Sequence, residues 1–193
     1  MSLSEDPPGE LLRLSRGWYQ STAWVHWTMS IRDRGRGWLT PSHHGALREL
    51  MIHVCARYHL ICPAYCLMPD HGHFLLVGLA DGSDQRNAMK LFRTHWNHLL
   101  SATGHELQRQ AYEHVLDENE RNPDAFEDTM LYILNNPVSA GLVGDWREWE
   151  HLGAIAAGYP EFDPREGSLS GFRERFWKVH HKERRKWQGD SPP

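Results

Sequence analysis

The sequence predicts an α+β domain: one antiparallel sheet with helices packed against a face. Two observations carry this. Apolar spacing alternates along the chain between the two-residue period of strands and the 3.6-residue period of helices, in the order strand-helix-strand-strand-helix-strand. The middle two strand-like runs, Cys62 to Leu67 and His71 to Leu79, are separated only by Met68-Pro69-Asp70, short enough for a hairpin.

In chain order, residues 1–17 are polar and proline-bearing and are expected to be unstructured. From Ala23 to Ser30, Ala23, Val25, Trp27 and Met29 alternate with Trp24, His26, Thr28 and Ser30, the pattern of a half-buried strand. Pro41 to Tyr58 carries Leu47, Leu50, Met51, Val54 and Tyr58 at helical spacing. After the hairpin, Ser83 to Leu100 reads as an amphipathic helix with Met89, Phe92, Trp96 and Leu99 inward. A fourth strand is expected between Leu107 and Leu116. A further helix runs from about Pro123 to Asn135. Asn122 suits its N-cap, Pro123 its first turn, and Asp124, Glu127 and Asp128 its positive end. Pro137 disfavours helical geometry at Asn136 and should end it. Gly153 to Gly171 reads as a linker, followed by a short basic helix. The division expected is a domain over 19–149 and a linker with basic tail over 150–193.

At 193 residues the chain fits one ordinary domain plus tails, and its 40% hydrophobic content supports a core. No apolar run approaches a membrane span, and the start is not a signal peptide. Three cysteines cannot all pair, which suits a reduced, cytoplasmic protein. Cys62 and Cys66 on one strand would stand about 13 Å apart, too far to share a zinc ion. The net charge of −4 does not advertise a nucleic-acid binder, yet its distribution is uneven. Acids crowd Glu113 to Asp128, and bases crowd Phe172 to Trp187. The loop Arg32-Asp33-Arg34-Gly35-Arg36-Gly37 offers Arg32, Arg34 and Arg36 as nucleic-acid contacts, or is a solvated turn. Trp146 and Trp149 fit packing under the sheet better than stacking on bases.

The chemistry centres on His71, His73 and Tyr132. Two histidines one residue apart on a strand point to the same face and can grip one ion. The alternative is that one ring is a buried, hydrogen-bonded core residue. Tyr132 lies roughly opposite the apolar face formed by Phe126, Met130, Ile133 and Leu134 on its helix, in a stripe with Asp128 and Asn136. A tyrosine that filled the core would join the apolar face. Asn136 adds a neutral oxygen, and two imidazoles with one amide leave an ion open to substrate. Asp70 suits either a ligand or a turn former.

At these residues the chain resembles the single-tyrosine HUH transposases, the insertion-sequence 200-like family, and most closely their REP-associated tyrosine transposase branch. The segment Met68-Pro69-Asp70-His71-Gly72-His73-Phe74-Leu75-Leu76 is similar to that family's Met-Pro-Asn-His-hydrophobic-His-Leu-Leu. The segment from Tyr132 to Val143, with Asn136-Pro137-Val138, is similar to its Tyr-Ile-x-x-Asn-Pro-Val-Arg-Ala-Gly-Leu-Val. Tyr112-Glu113-His114-Val115 resembles a segment that precedes the tyrosine helix. The resemblance implies a ferredoxin-like or RRM-like sheet and a divalent metal, Mg or Mn, on His71, His73 and Asn136. It implies Tyr132 as a nucleophile that leaves a 5′-phosphotyrosine and a free 3′-hydroxyl. Its substrate would be single-stranded DNA with a hairpin or palindromic repeat, and the protein a monomer or homodimer.

Three residues depart from the family pattern: Gly72 for a bulky apolar residue, Asp70 for Asn and Ser139 for Arg. Two other readings stay open: a single-stranded nucleic-acid binding module without catalysis, and a replication-initiator nickase.

Overall fold

The computed structural model describes residues 13–116 and 123–187. Its elements are β1 (Trp24–Ser30), α1 (Pro41–Tyr58), β2 (Leu60–Met68), β3 (His71–Gly78), α2 (Gln85–Ser101), β4 (Tyr112–Val115), α3 (Pro123–Leu134), α4 (Asn136–Ser139), β5 (Leu152–Ile155) and α5 (Leu169–Trp187). One antiparallel sheet runs β4-β1-β3-β2-β5. The first four strands and two helices follow the βαββαβ order of a ferredoxin-like unit. Among the described residues no helix is long and apolar enough to cross a membrane.

Local chemistry accounts for the helix boundaries. Thr40 caps α1 by accepting from the His43 N–H, with Pro41 in the first turn, and His59 ends it in the left-handed conformation. Asp84 caps α2 by accepting from the Asn87 N–H at 2.9 Å. The expected cap Asn122 lies outside the described residues. Pro137 ends α3 less abruptly than expected. After a turn at Asn135 the chain re-enters a short helix at Asn136, with Pro137 in the first turn, where the missing N–H costs nothing.

Both sheet faces are covered. On one, α1 and α2 bury Met51, Val54, Met89, Phe92 and Trp96 against Val25, Trp27, Met29 and Phe74. On the other, Phe126, Met130 and Ile133 of α3 and Phe172 and Phe176 of α5 pack on Trp24, Cys66, Leu75 and Leu152. Strand β1, expected to be half-buried, is therefore buried on both sides except at Thr28 and Ser30. The stretch read as a linker supplies the edge strand β5, which pairs with β2. The basic tail is a 19-residue helix whose apolar stripe Phe172, Phe176, His180 is buried. Arg13 and Arg16, in the segment expected to be unstructured, pair with Glu113 at 2.9 Å and Asp84 at 2.7 Å. Trp146 is buried, and Trp149 donates from Nε1 to the Leu67 carbonyl at 2.9 Å; both serve packing.

A register shift between Ile61 and Ala64 turns part of β2 over. Cys62 consequently packs in the α1–α2 core and Cys66 in the α3–α5 core. All three cysteines are buried free thiols. Burial pushes Cys55 and Cys66 up to about 12 and holds Cys62 well above its ordinary value, which removes any thiolate site.

The missing side chain at Gly72 is compensated. A Cβ there would meet Leu67 Cδ2, Phe74 Cε2 and Trp96 Cη2, each at 3.1 Å. The Trp96 indole, fully buried, fills the volume that a bulky residue would occupy. We expect Gly72→Leu to lower stability by about 1–3 kcal/mol through overpacking. Combining it with Trp96→Leu should recover part of that loss, as read from urea unfolding midpoints. A double variant no more stable than Gly72→Leu alone would show that the two positions do not share the space.

Candidate active site at the Tyr132 cleft

Alternation on β1, β3 and β4 sends His26, Thr28 and Ser30, then His71 and His73, then Tyr112 and His114, to the same sheet face. Helix α3 packs over β2, β3 and the Trp24 end of β1 and leaves an open cleft of about 530 Å³, closed on one side by Tyr132 and Asn136 and lined also by Arg34.

The two histidines are brought together as their spacing predicts: His71 Nε2 and His73 Nε2 lie 3.0 Å apart. Each ring is held from behind. His71 Nδ1 donates to Asp70 Oδ1 at 2.6 Å. His73 Nδ1 faces Thr28 Oγ1 at 3.1 Å and His26 Nε2 at 3.0 Å. In the tautomers that place the protons on both Nδ1 atoms, the two Nε2 lone pairs converge on one point, an arrangement that a cation satisfies. A separation of 3.0 Å is also that of neighbouring ligands about 2.1 Å from one octahedral ion. The residues present therefore fit a divalent ion.

Burial, then the neighbouring His26 and His71, pull His73 down to about 3, against a smaller upward effect of Asn136. Burial and then His114 pull His26 down to about 4. Both rings are neutral near pH 7, the state a metal ligand needs. Asn136 donates from Nδ2 to the Tyr132 carbonyl of its own helix at 2.8 Å, which leaves its oxygen for His73. Among the described residues no three His, Cys, Asp or Glu side chains form a metal-holding group; the donors that face one another here are two imidazoles and an amide.

Tyr132 is 59% exposed, and its ring stands edge-on to His73 at 6.0 Å and to His26 at 5.8 Å between centroids. It borders the cleft from the wall opposite the sheet. Asp70 joins the His71 ring to the arginine loop. Partial burial alone would raise its carboxyl, but the hydrogen bond from His71 and the charges of Arg34 and Arg36 hold it below the usual carboxylate range. Arg34 reaches Asp70 Oδ2 at 3.4 Å from a backbone in the left-handed region, φ 55°. Of the three loop arginines, Arg34 enters the cleft. Arg32 turns to Glu106, and Arg36 stays exposed at the loop.

A solved structure of a REP-associated tyrosine transposase bound to a REP hairpin matches with a TM-score of 0.61 and 22% identity, covering 75% of this chain and 81% of that one. The chain has that protein's fold. No protein-family model and no curated protein matches the sequence.

His26 and Thr28 are site residues that the motif spacing does not reveal. Thr28 stands opposite His73 in the β1–β3 register, 45 positions away in the chain. Their signal is faint but real: a central strand whose second face reads His26, Thr28, Ser30 is polar where a core strand should be apolar.

Proposed function

We propose that this chain is a single-tyrosine transposase-type enzyme that cleaves and rejoins single-stranded DNA through a 5′-phosphotyrosine. The observation that carries the reading is the meeting of Tyr132 with the converging His71 and His73 nitrogens in one open cleft. His71, His73 and Asn136 would hold a divalent ion, Mg or Mn, which when bound supplies Lewis-acid stabilisation of charge on the phosphate oxygens. Tyr132 Oη attacks the phosphorus. Its O–P bond forms as the P–O3′ bond breaks, and the phenol proton is balanced by the proton gained at the departing 3′ oxygen. The 3′-hydroxyl can later attack the phosphotyrosine and restore the diester, so no external energy source is needed. Arg34 adds positive charge at the cleft mouth, and Asp70, Thr28 and His26 orient the two ligand rings. The resemblance in the histidine and tyrosine segments and the shared fold support the same reading. They favour a hairpin-bearing or palindromic single strand as substrate.

The test is incubation with Mn or Mg and single-stranded hairpin DNA drawn from repeats that flank the gene. A protein–DNA adduct that survives denaturing electrophoresis is expected. Its absence on strands the protein binds would leave the binding-module reading in its place. Metal binding is checked separately by calorimetry. His71→Ala and His73→Ala should each abolish measurable Mn binding, and Asp70→Ala, which frees the His71 ring, should weaken it by about tenfold. Unchanged binding in both histidine variants would place the ion elsewhere.

A further inference from the structure

A second cavity, of about 380 Å³, lies behind the cleft, on the other face of the sheet at its β4 edge. Strand alternation separates the two. Tyr112 and His114 of β4 line the cleft, whereas Glu113 between them pairs with Arg13 of the rear cavity. His26 and Thr28 of β1 line the cleft, whereas Trp27 lines the rear. Six cations surround the rear cavity: Arg13, Arg16, Arg86, Lys90, Arg93 and Arg109. Among the described residues Glu113 pairs with Arg13 and Asp84 with Arg16. Arg86, Lys90 and Arg93 thus bring positive charge together at one edge of a chain whose net charge is −4.

A solvated helix face would carry such charges on loose side chains. Here several are fixed in place. Arg16 is held on Asp84 by two nitrogens, at 2.7 and 3.3 Å. Arg86 lies over the Tyr19 ring at 5.7 Å. Arg93 Nη2 donates to the Gln108 and Arg109 carbonyls at 2.6 and 3.0 Å. Its other terminal nitrogen, Nη1, is buried without an acceptor among the described residues, which is costly unless an anion supplies one.

We propose that this rear cavity is a phosphate-binding site, taking the backbone of a nucleic-acid strand that passes round the β4 edge from the Tyr132 cleft. The site rests on reading nucleic acid as the partner of that cleft. Fixed guanidinium forks suit phosphate oxygens, and contacts of this kind position a strand without reading its bases.

The test uses the full chain and a fluorescein-labelled single strand, with anisotropy read across a salt series. Arg86→Gln/Lys90→Gln should weaken binding alike for unrelated sequences. It should also flatten the slope of log affinity against log salt by about 1.4, near 0.7 per lost phosphate contact. Lys178→Ala/Arg185→Ala on the exposed side of α5 serves as the charge-matched control and should leave the slope unchanged. Equal flattening in the control, or none in the cavity variant, overturns the site. Inorganic pyrophosphate is the second probe and should raise the thermal midpoint of the unmodified protein but not of the cavity variant. That stabilisation without any DNA binding would keep the phosphate site and overturn the reading of the cleft. Failure of both probes beside a normal Tyr132 adduct would overturn the cavity alone.

Discussion

Tyr132→Phe is expected to abolish the denaturation-resistant DNA adduct, reducing it to background, while leaving the fold and strand binding essentially intact. The substitution removes one oxygen from a ring that is 59% exposed and packs on no core cluster. Stability should therefore change by less than about 0.5 kcal/mol, the range of surface substitutions. The edge-on contacts with His26 and His73 belong to the ring and survive in phenylalanine. What disappears is the only atom of that side chain able to bond phosphorus. A free phenol is a weak nucleophile near pH 7, since its ordinary pKa is about 10. That is why its place beside a metal-competent histidine pair matters more than its exposure. Tyr112 offers an internal comparison, because it is also exposed, at 56%, and lines the same cleft. Tyr112→Phe should retain the adduct, and Tyr112→Ala should weaken strand binding through loss of a stacking ring, by about 1–3 kcal/mol. Undiminished adduct in Tyr132→Phe, or its loss in Tyr112→Phe, would exchange the two roles.

Much of the fold was legible because its signals are local. The helix expected over Pro41 to Tyr58 is found over those residues, and the hairpin at Met68-Pro69-Asp70 is where the short connection demands. The His71–His73 convergence follows from strand alternation, and the placement of Tyr132 off the apolar face follows from helical periodicity. The parts that could not be read are set by pairing between distant segments. Strand β5 is four residues among glycines and prolines, and it is a strand only because β2 offers it an edge. The opposite facing of Cys62 and Cys66 comes from a register shift that no periodicity announces. His26 and Thr28 back His73 because β1 runs beside β3, a fact of topology. Arg32 and Arg34 are two positions apart and equally basic in the sequence. Only the left-handed backbone at Asp33 and Arg34 and the presence of Glu106 send one to the cleft and the other away.

The second large effect is acid unfolding over a narrow range. Four buried or partly buried histidines have folded values far below the ordinary 6.5: His26, His44 and His180 at about 4, and His73 at about 3. Burial is the leading cause in each, reinforced by neighbouring cations or by other histidines. The sign follows from proton binding. These rings are neutral in the folded chain and take up protons when it unfolds, so their contribution is fully present above about pH 6.5 and is lost as pH falls towards 4 and then 3. A displacement of one pKa unit is worth about 1.4 kcal/mol, so burial of His26, His73 and His180 withdraws on the order of several kcal/mol as pH falls, a large share of the stability of a domain. Circular dichroism against pH should show the metal-free protein stable at pH 7 and unfolded before pH 4. His180 isolates the effect from the cleft. It is 4% exposed, stacked on Phe176, and neither ring nitrogen has a partner among the described residues. His180→Leu should raise stability at neutral pH by about 1–3 kcal/mol, since an unsatisfied buried polar group is removed. The gain should grow as pH falls from 6.5 to 4, because one proton-uptake site is gone from the unfolded chain. A gain that is constant across that range would mean the His180 ring is already charged in the folded protein.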